Sequence, residues 1–496
     1  MRRVLKILAI GLALLLLVAA LLGGWYVRSK QPRRSGEIAL TGLTSIVTVR
    51  YDERGVPHIG AGNEHDLYRA LGYVHAQDRL FQMEMTRRLA RGELSEILGP
   101  KLVEVDQLFR TLGIRDRADR MAERIDQGSQ AAQAFLAYLD GINQYQRDRP
   151  APMEFDLLGI PKRAFTMADA YSVTGYMAYT FAMAFSTEPA MTHVRDKLGP
   201  DYLKVFDLDW HPEGVLGPAA GSARAARLAP SAQLTSSDWQ GLAQLARVSR
   251  EALADAGIAQ FEGSNAWAVS GSLTTSGKPL LAGDPHIAFS APAIWYEAHL
   301  SAPGFELYGH HLGLMAFALL GHNQQFGWTL TMFQNDDLDL IAEKVNPTNP
   351  NQVWHKGQWV DLQAREETIA VKGAAPVRLT LRRSPHGPIV SDAFGQTLGR
   401  TPVAMWWAFL ETENPIFEAF HALNRADTLA KARAAASRIH APGLNVVYAN
   451  AAIQHATYGF LPLDANWGTV IAMLAAWAVA GLALSMVAYR HATAGR

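Results

Sequence analysis

The sequence predicts an α+β fold, with a mainly helical first half, a weakly patterned linker and a strand-rich second half. Three observations carry this. Between Asn63 and Leu98, apolar residues recur at three-to-four spacing (Leu67, Leu71, Val74, Leu80, Phe81, Met85, Leu89), with Asp66, Arg69, Asp78, Arg87 and Arg88 off that stripe. This is the period of an amphipathic helix. Residues 215–262 open on a stretch rich in Gly, Ala, Ser and Pro with no strong period, which reads as a linker. After Gly263, residues 264–271, 278–284, 305–311, 316–321, 326–333 and 376–383 show strand-like alternation or short apolar runs between turns. Helices first and strands later point to helices stacked on sheets rather than a repeated βαβ crossover.

Taken in order, the chain begins with MRRVLK, and then Ile7–Gly24 is almost unbroken Leu, Ala, Val, Ile and Gly, closed by Trp25-Tyr26-Val27-Arg28. About 20 residues at 1.5 Å each span a bilayer. Arg2, Arg3 and Lys6 place this end inside, and the Trp-Tyr pair suits the far interface. A cleaved signal sequence is the alternative, although no clean A-x-A site follows. Residues 46–60 (IVTVRYDERGVPHIG) alternate and then turn, as a strand or hairpin does. More amphipathic helix is expected through about residue 145 and again at 166–198. An Ala-rich helical stretch (242–258) ends the linker, and a helix near 427–438 leads to a strand at Leu444–Tyr448. A second uncharged stretch, Trp467–Tyr489, is followed by Arg490, His491 and Arg496. Two basic-flanked spans place both termini in the cytoplasm and the body across the membrane, on the periplasmic or extracytoplasmic side. The organisation expected is an anchor or signal sequence (1–29), a helical region (30–214), a linker (215–263), a catalytic region (264–465) and a second span (466–490).

Composition narrows the function. The 496 residues are 49% hydrophobic and 19% charged, so the chain is globular rather than disordered overall. Lys+Arg and Asp+Glu balance at 46 each, giving no basic field for nucleic acid. The absence of cysteine excludes disulfides, thiolate metal sites and a cysteine nucleophile.

Several motif-like runs carry no chemistry. GSLTTSGKP has five residues between Gly271 and Gly277, and Pro279 where a phosphate loop needs Ser or Thr. There is no G-x-S-x-G elbow. His310-His311, near His299, lacks ligand spacing, because adjacent strand residues face opposite ways. The run EGSNAWAVSG (262–271) leaves two readings open. Gly-Ser-Asn is a turn opening a hairpin, or the chain is cut after Gly263 and Ser264 becomes an N-terminus. A serine hydroxyl needs a base. A freed α-amine, with an ordinary pKa of about 7.7–8.0, supplies one.

The residues around Ser264 resemble the penicillin acylase (penicillin amidase) family of N-terminal-nucleophile hydrolases. The resemblance rests on Ser264-Asn265-x-Trp267, Gly283-Asp284-Pro285-His286, Ile294-Trp295-Tyr296-Glu297, Gly321-His322-Asn323 and Trp328. Upstream it rests on Asp52-x-x-Gly55-Val56-Pro57-His58-Ile59, on Gly72-Tyr73-x-His75 through Glu84, and on Arg91–Glu96; downstream, on Pro442-Gly443-Leu444-Asn445. It covers about residues 40–462.

The resemblance implies a four-layer αββα sandwich and autocatalytic cleavage at Gly263–Ser264 into α and β chains of one precursor. It also implies hydrolysis of a small-molecule N-acyl amide to a carboxylic acid and an amine through an acyl-enzyme. By position, Ser264 is nucleophile and base, His286 assists, and Asn445 with the backbone N–H of Met332 forms the oxyanion hole. One structural Ca2+ is implied at Glu188, Asp336, the Leu338 carbonyl and Asp339, and an apolar acyl pocket at Met183, Phe185, Ile287, Phe289 and Leu320. After Tyr448-Ala449 the family pattern gives way to Asn450–His455 and then to the second apolar stretch, as in a C-terminally truncated relative. Two readings follow: a working amidase, or a membrane-tethered relative without catalysis.

Overall fold

The computed structural model describes residues 2–182, 184–206, 247, 261–333, 337–393 and 401–450. Most of the linker, the 242–258 stretch apart from Arg247, and the second apolar stretch lie outside the described residues.

The first apolar stretch forms one helix, Arg2–Lys30. Its Leu5–Lys30 portion has a peak mean hydropathy of 2.8 and no buried share, long and apolar enough to cross a membrane. The predicted amphipathic helix runs Glu64–Arg91. The Asn63 side chain accepts the Asp66 N–H at its start, and Gly92 stops it in the left-handed conformation at φ 64°. This is why it ends short of Leu98. It packs on the Gln130–Asp148 helix at very close range. A Cβ on Gly72 would fall 1.9 Å from the Tyr138 carbonyl oxygen, and one on Gly141 would fall 2.0 Å from that of Arg69. The Met167–Phe181 helix begins with a reciprocal Thr166–Asp169 capping box.

The strands in chain order are β1 (Thr48–Tyr51), β2 (Pro57–Gly60), β3 (Phe261–Val269), β4 (Leu280–Ile287), β5 (Tyr296–Ala302), β6 (Phe305–His311), β7 (Leu320–Asn323), β8 (Phe326–Met332) and β9 (Leu338–Ala342). They continue with β10 (Val345–Asn346), β11 (Asn349–His355), β12 (Gln358–Asp361), β13 (Gln363–Ile369), β14 (Val377–Ser384), β15 (Gly387–Pro388), β16 (Val403–Trp407) and β17 (Leu444–Asn450). A seven-stranded sheet has the order β1-β2-β5-β6-β7-β8-β17. All its pairs are antiparallel except β2–β5. The first-half strands β1 and β2 thus belong to the second-half sheet, a pairing that local alternation does not encode. Smaller sheets join β10-β11-β12, β13-β14-β15, β9-β16 and β3-β4.

One face of the large sheet packs on the helices. Leu300, Leu307, Trp328 and Leu330 share a core with Leu67, Leu71, Phe135 and Tyr138. The β3–β4 hairpin lies on the other face, over β8. A Cβ on Gly283 would fall 1.9 Å from Thr329 Oγ1, and one on Gly327 would fall 3.1 Å from Leu281 Cδ2. Small residues at these two points let the hairpin and the sheet approach. The result is an α+β arrangement of helices, sheet and hairpin.

Candidate active site

Ser264 is the fourth residue of β3, so the Gly263–Ser264 bond lies within a strand rather than at its mouth. Ser264 pairs opposite Pro285 in the β3–β4 ladder. Alternation turns both toward the large sheet, and Ser264 Oγ accepts a hydrogen bond from the backbone N–H of Met332 at 2.9 Å. On the neighbouring strand, Asn445 stands directly opposite Thr331. Asn445 Nδ2 donates to Thr331 Oγ1 at 3.0 Å and to the Met332 carbonyl oxygen at 3.3 Å. The ends of β8 and β17 therefore bring one N–H donor to the serine and hold a second, the Asn445 amide, on the residues that adjoin it. The role of Thr331 in holding the Asn445 amide is a contact that sequence reasoning missed. The signal available was a hydroxyl on the strand next to the donor's.

His286 is placed differently. It pairs opposite Gly263, one residue out of phase with Ser264, and so faces the outer side of the hairpin. There its Nε2 lies 3.2 Å from Asp284 Oδ2 and 3.0 Å from Asn265 Nδ2. The Asn265 backbone N–H donates to Asp284 Oδ1 at 3.1 Å. Partial desolvation opposes ionisation of Asp284, but the His286 and Asn265 hydrogen bonds outweigh it and hold its carboxyl below the usual value. The histidine borders the Gly263 side of the bond: a Cβ on Gly263 would sit 3.4 Å from His286 Nδ1.

A small apolar cavity adjoins Ser264, lined by Met177, Phe181, Trp295, Leu319, Leu320, Leu330 and Leu444 among others. Its volume is about 30 Å³, room for little more than a water. Of the acyl-pocket residues expected, Leu320 lines it. Ile287 is half-buried at the end of β4 and does not line it. Phe289 is a correction. It is fully exposed, because β4 ends at Ile287 and alternation no longer fixes its side. Met183 lies outside the described residues, and Phe185 falls on the Ala184–Leu198 helix. The helical contribution missed was Met177 and Phe181, one turn apart on the preceding helix. A larger cleft of about 700 Å³ lies between residues 33–51 and Tyr73, Val74 and Gln77, and holds none of these site residues.

At the expected cation site, Glu188 reaches across from the Ala184–Leu198 helix, and its Oε2 accepts the Leu340 N–H at 2.9 Å. This brings it to β9, where Leu338 is buried and Asp339 is exposed opposite Trp406. Asp336 lies outside the described residues. Carboxylate and carbonyl oxygens are the donors a hard cation takes. Among the described residues, no three acidic or histidine side chains converge to hold a metal.

The penicillin amidase family model matches residues 46–481. The chain is 29% identical over 436 residues to acyl-homoserine lactone acylase QuiP of Pseudomonas aeruginosa, covering 84% of this chain and 50% of that protein. It is 30% identical over 377 residues to penicillin acylase 2 proenzyme of Pseudomonas sp. SE83, covering 73% and 45%. It is 29% identical over 402 residues to penicillin G acylase of Escherichia coli, covering 71% and 47%. A thermostable penicillin G acylase structure from Alcaligenes faecalis aligns over 37% of this chain and 33% of its own, with 25% identity and a TM-score of 0.34. The chain spans about half the length of the curated relatives it matches. With a family match running through both the helical body and the serine hairpin, the chain belongs to the penicillin amidase family.

Proposed function

We propose that this protein is an acyl-amide hydrolase matured by its own cleavage at Gly263–Ser264. The observation that carries the reading is the Met332 N–H directed at Ser264 Oγ, with the Asn445 amide bonded to the adjoining residues. While Gly263 is attached, the Ser264 nitrogen is an amide without a basic lone pair. Cleavage frees it as an α-amine, which takes the proton from Oγ as that oxygen attacks the substrate carbonyl carbon. The oxyanion then receives the Met332 N–H and the Asn445 Nδ2–H, the latter turning from Thr331. Collapse breaks the C–N bond, the α-ammonium protonates the leaving amine, and water attacks the acyl-serine to release the acid.

The lining of Met177, Phe181, Leu319, Leu320 and Leu330 favours an apolar acyl group. Amides of the kind named for the relatives, penicillins and acyl-homoserine lactones, are the substrates to try first. In this reading the β3–β4 hairpin is the inner edge of the second sheet of an αββα sandwich. The α and β chains stay associated, and the Arg2–Lys30 helix tethers the body outside the cytoplasm. A Ca2+ held by Glu188, Asp336, Asp339 and the Leu338 carbonyl would offset the repulsion of these carboxylates and tie the helix before the cut to the strand after it.

On a denaturing gel the expressed protein is expected as two chains, 1–263 and 264–496, and Ser264→Ala as one. A single intact wild-type band without amidase activity overturns the proposal in favour of a non-catalytic tethered relative. Chelation is expected to lower the thermal midpoint; an unchanged midpoint and unchanged processing remove the calcium assignment.

A further inference from the structure

We infer that the short helix Met153–Leu158 is a second membrane contact, lying in the bilayer interface beside the end of the Arg2–Lys30 helix. The inference rests on the reading of Arg2–Lys30 as a membrane anchor. A span of about 20 residues from Leu5 covers the hydrocarbon core and brings Trp25 and Tyr26 to the outer interface, where such rings settle.

The body is fixed to the helix at that level. Tyr26 Oη donates to Asp156 Oδ2 at 2.7 Å. Lys30 Nζ donates to the same oxygen at 2.5 Å and to the Ala151 carbonyl at 2.9 Å. Two residues one turn apart thus grip the Met153–Leu158 helix and set its depth at the aromatic girdle. This is not a flexible tether that leaves the body free above the surface.

The composition of the short helix fits that depth. Phe155 is buried and meets the ring of Phe81, so this side belongs to the body. Met153 and Leu157, four residues apart and on one face, are 38% and 75% exposed. Trp25 on the anchor is 69% exposed. A single exposed leucine says nothing. An apolar pair on a helix clamped at interface depth, bonded to the residue that follows an exposed tryptophan, has a nearby apolar medium to enter. The occupant is the bilayer surface, since the helix that carries these groups is hydrogen-bonded to the end of the anchor.

The chain contains no cysteine, so single-cysteine variants report one site each. Trp25→Cys, Met153→Cys, Leu157→Cys and a control at Leu273→Cys, 80% exposed in the turn after β3, are made in the full chain. Each carries a nitroxide label, in phosphatidylcholine vesicles. Labels at 25, 153 and 157 are expected to collide several-fold less with a water-soluble nickel chelate than the label at 273, and more with oxygen. If the labels at 153 and 157 match the control while that at 25 is shielded, the second contact is wrong and the anchor stands. If the label at 25 also matches the control, the anchor reading falls and takes this one with it.

Discussion

The helical body and the serine hairpin are built on opposite terms. In the body, Glu84 is fully buried, with Oε1 accepting Arg88 Nε at 2.6 Å and Oε2 accepting the Arg87 guanidinium. Arg87 also donates to the Ala164 carbonyl at 3.0 Å, so the buried charges are paired and hydrogen-bonded. In the hairpin, Trp267 is 51% exposed and Leu280 57%. Ser264 therefore rides on a lightly buried ribbon, while the Met332 N–H and the Asn445 amide stand on the sheet that packs against the body. Under the proposed function, a strand cut in its own backbone needs local freedom, and donors that meet a transition state need fixed positions. The two requirements fall on different elements.

The comparison can be broken at several points. Glu84→Ala removes the buried carboxylate that joins Arg87 and Arg88, leaving Arg88 to Glu96 and Arg87 to Asp169, and is expected to cost about 3 kcal/mol by chemical denaturation in detergent. A loss near zero would mean that the body does not depend on the cluster. Asn445→Ala is expected to lower kcat about 10²–10³-fold with little change in the unfolding midpoint. A large fall in the midpoint instead would make Asn445 a packing residue.

Acid tests the body more than the hairpin. Burial pushes His311 and His421 from 6.5 down to about 4, so both are neutral in the fold and take up protons on unfolding. Their contribution is complete above pH 6.5 and is lost as pH falls toward 4, by at most about 1.4 kcal/mol per pH unit for each. Asp106 has the opposite sign. Burial raises its carboxyl from 3.8 to about 6, so its contribution is present at low pH and lost as pH rises through 6. Stability measured from pH 7 to 4 is expected to fall, and Asp106→Asn to steepen the fall below pH 6. A flat profile would contradict the buried histidines. The smallest effect expected is Trp267→Ser, within about 0.5 kcal/mol of wild type. A larger loss would show that the outer face of the hairpin is covered.

What the sequence disclosed follows from which interactions are local. The helical stretch from Asn63, the Leu67–Leu89 stripe and the alternation of β6 and β8 are local, and the structure has them. The reading of Ser264 at a strand mouth placed the residue in the right element but missed that β3 begins at Phe261. The side of the hairpin on which His286 falls is set by the register that puts Pro285, and not His286, opposite Ser264. One residue of phase exchanges the faces of a strand, and a chain read linearly does not contain that phase. The bond between Asn445 and Thr331, 114 positions apart, is invisible for the same reason. The exposure of Phe289 depends on where a ladder stops.

The parallel pairing of β2 with β5 has a consequence for what a cut at Gly263 could release. His58, Ile59 and Gly60 are woven beside His299, Leu300 and Ser301, one trio from each side of the bond. Severing the backbone would nick the molecule without dividing it. The fragments would share a single interior, would comigrate on any column that leaves them native, and would part only when both unfold.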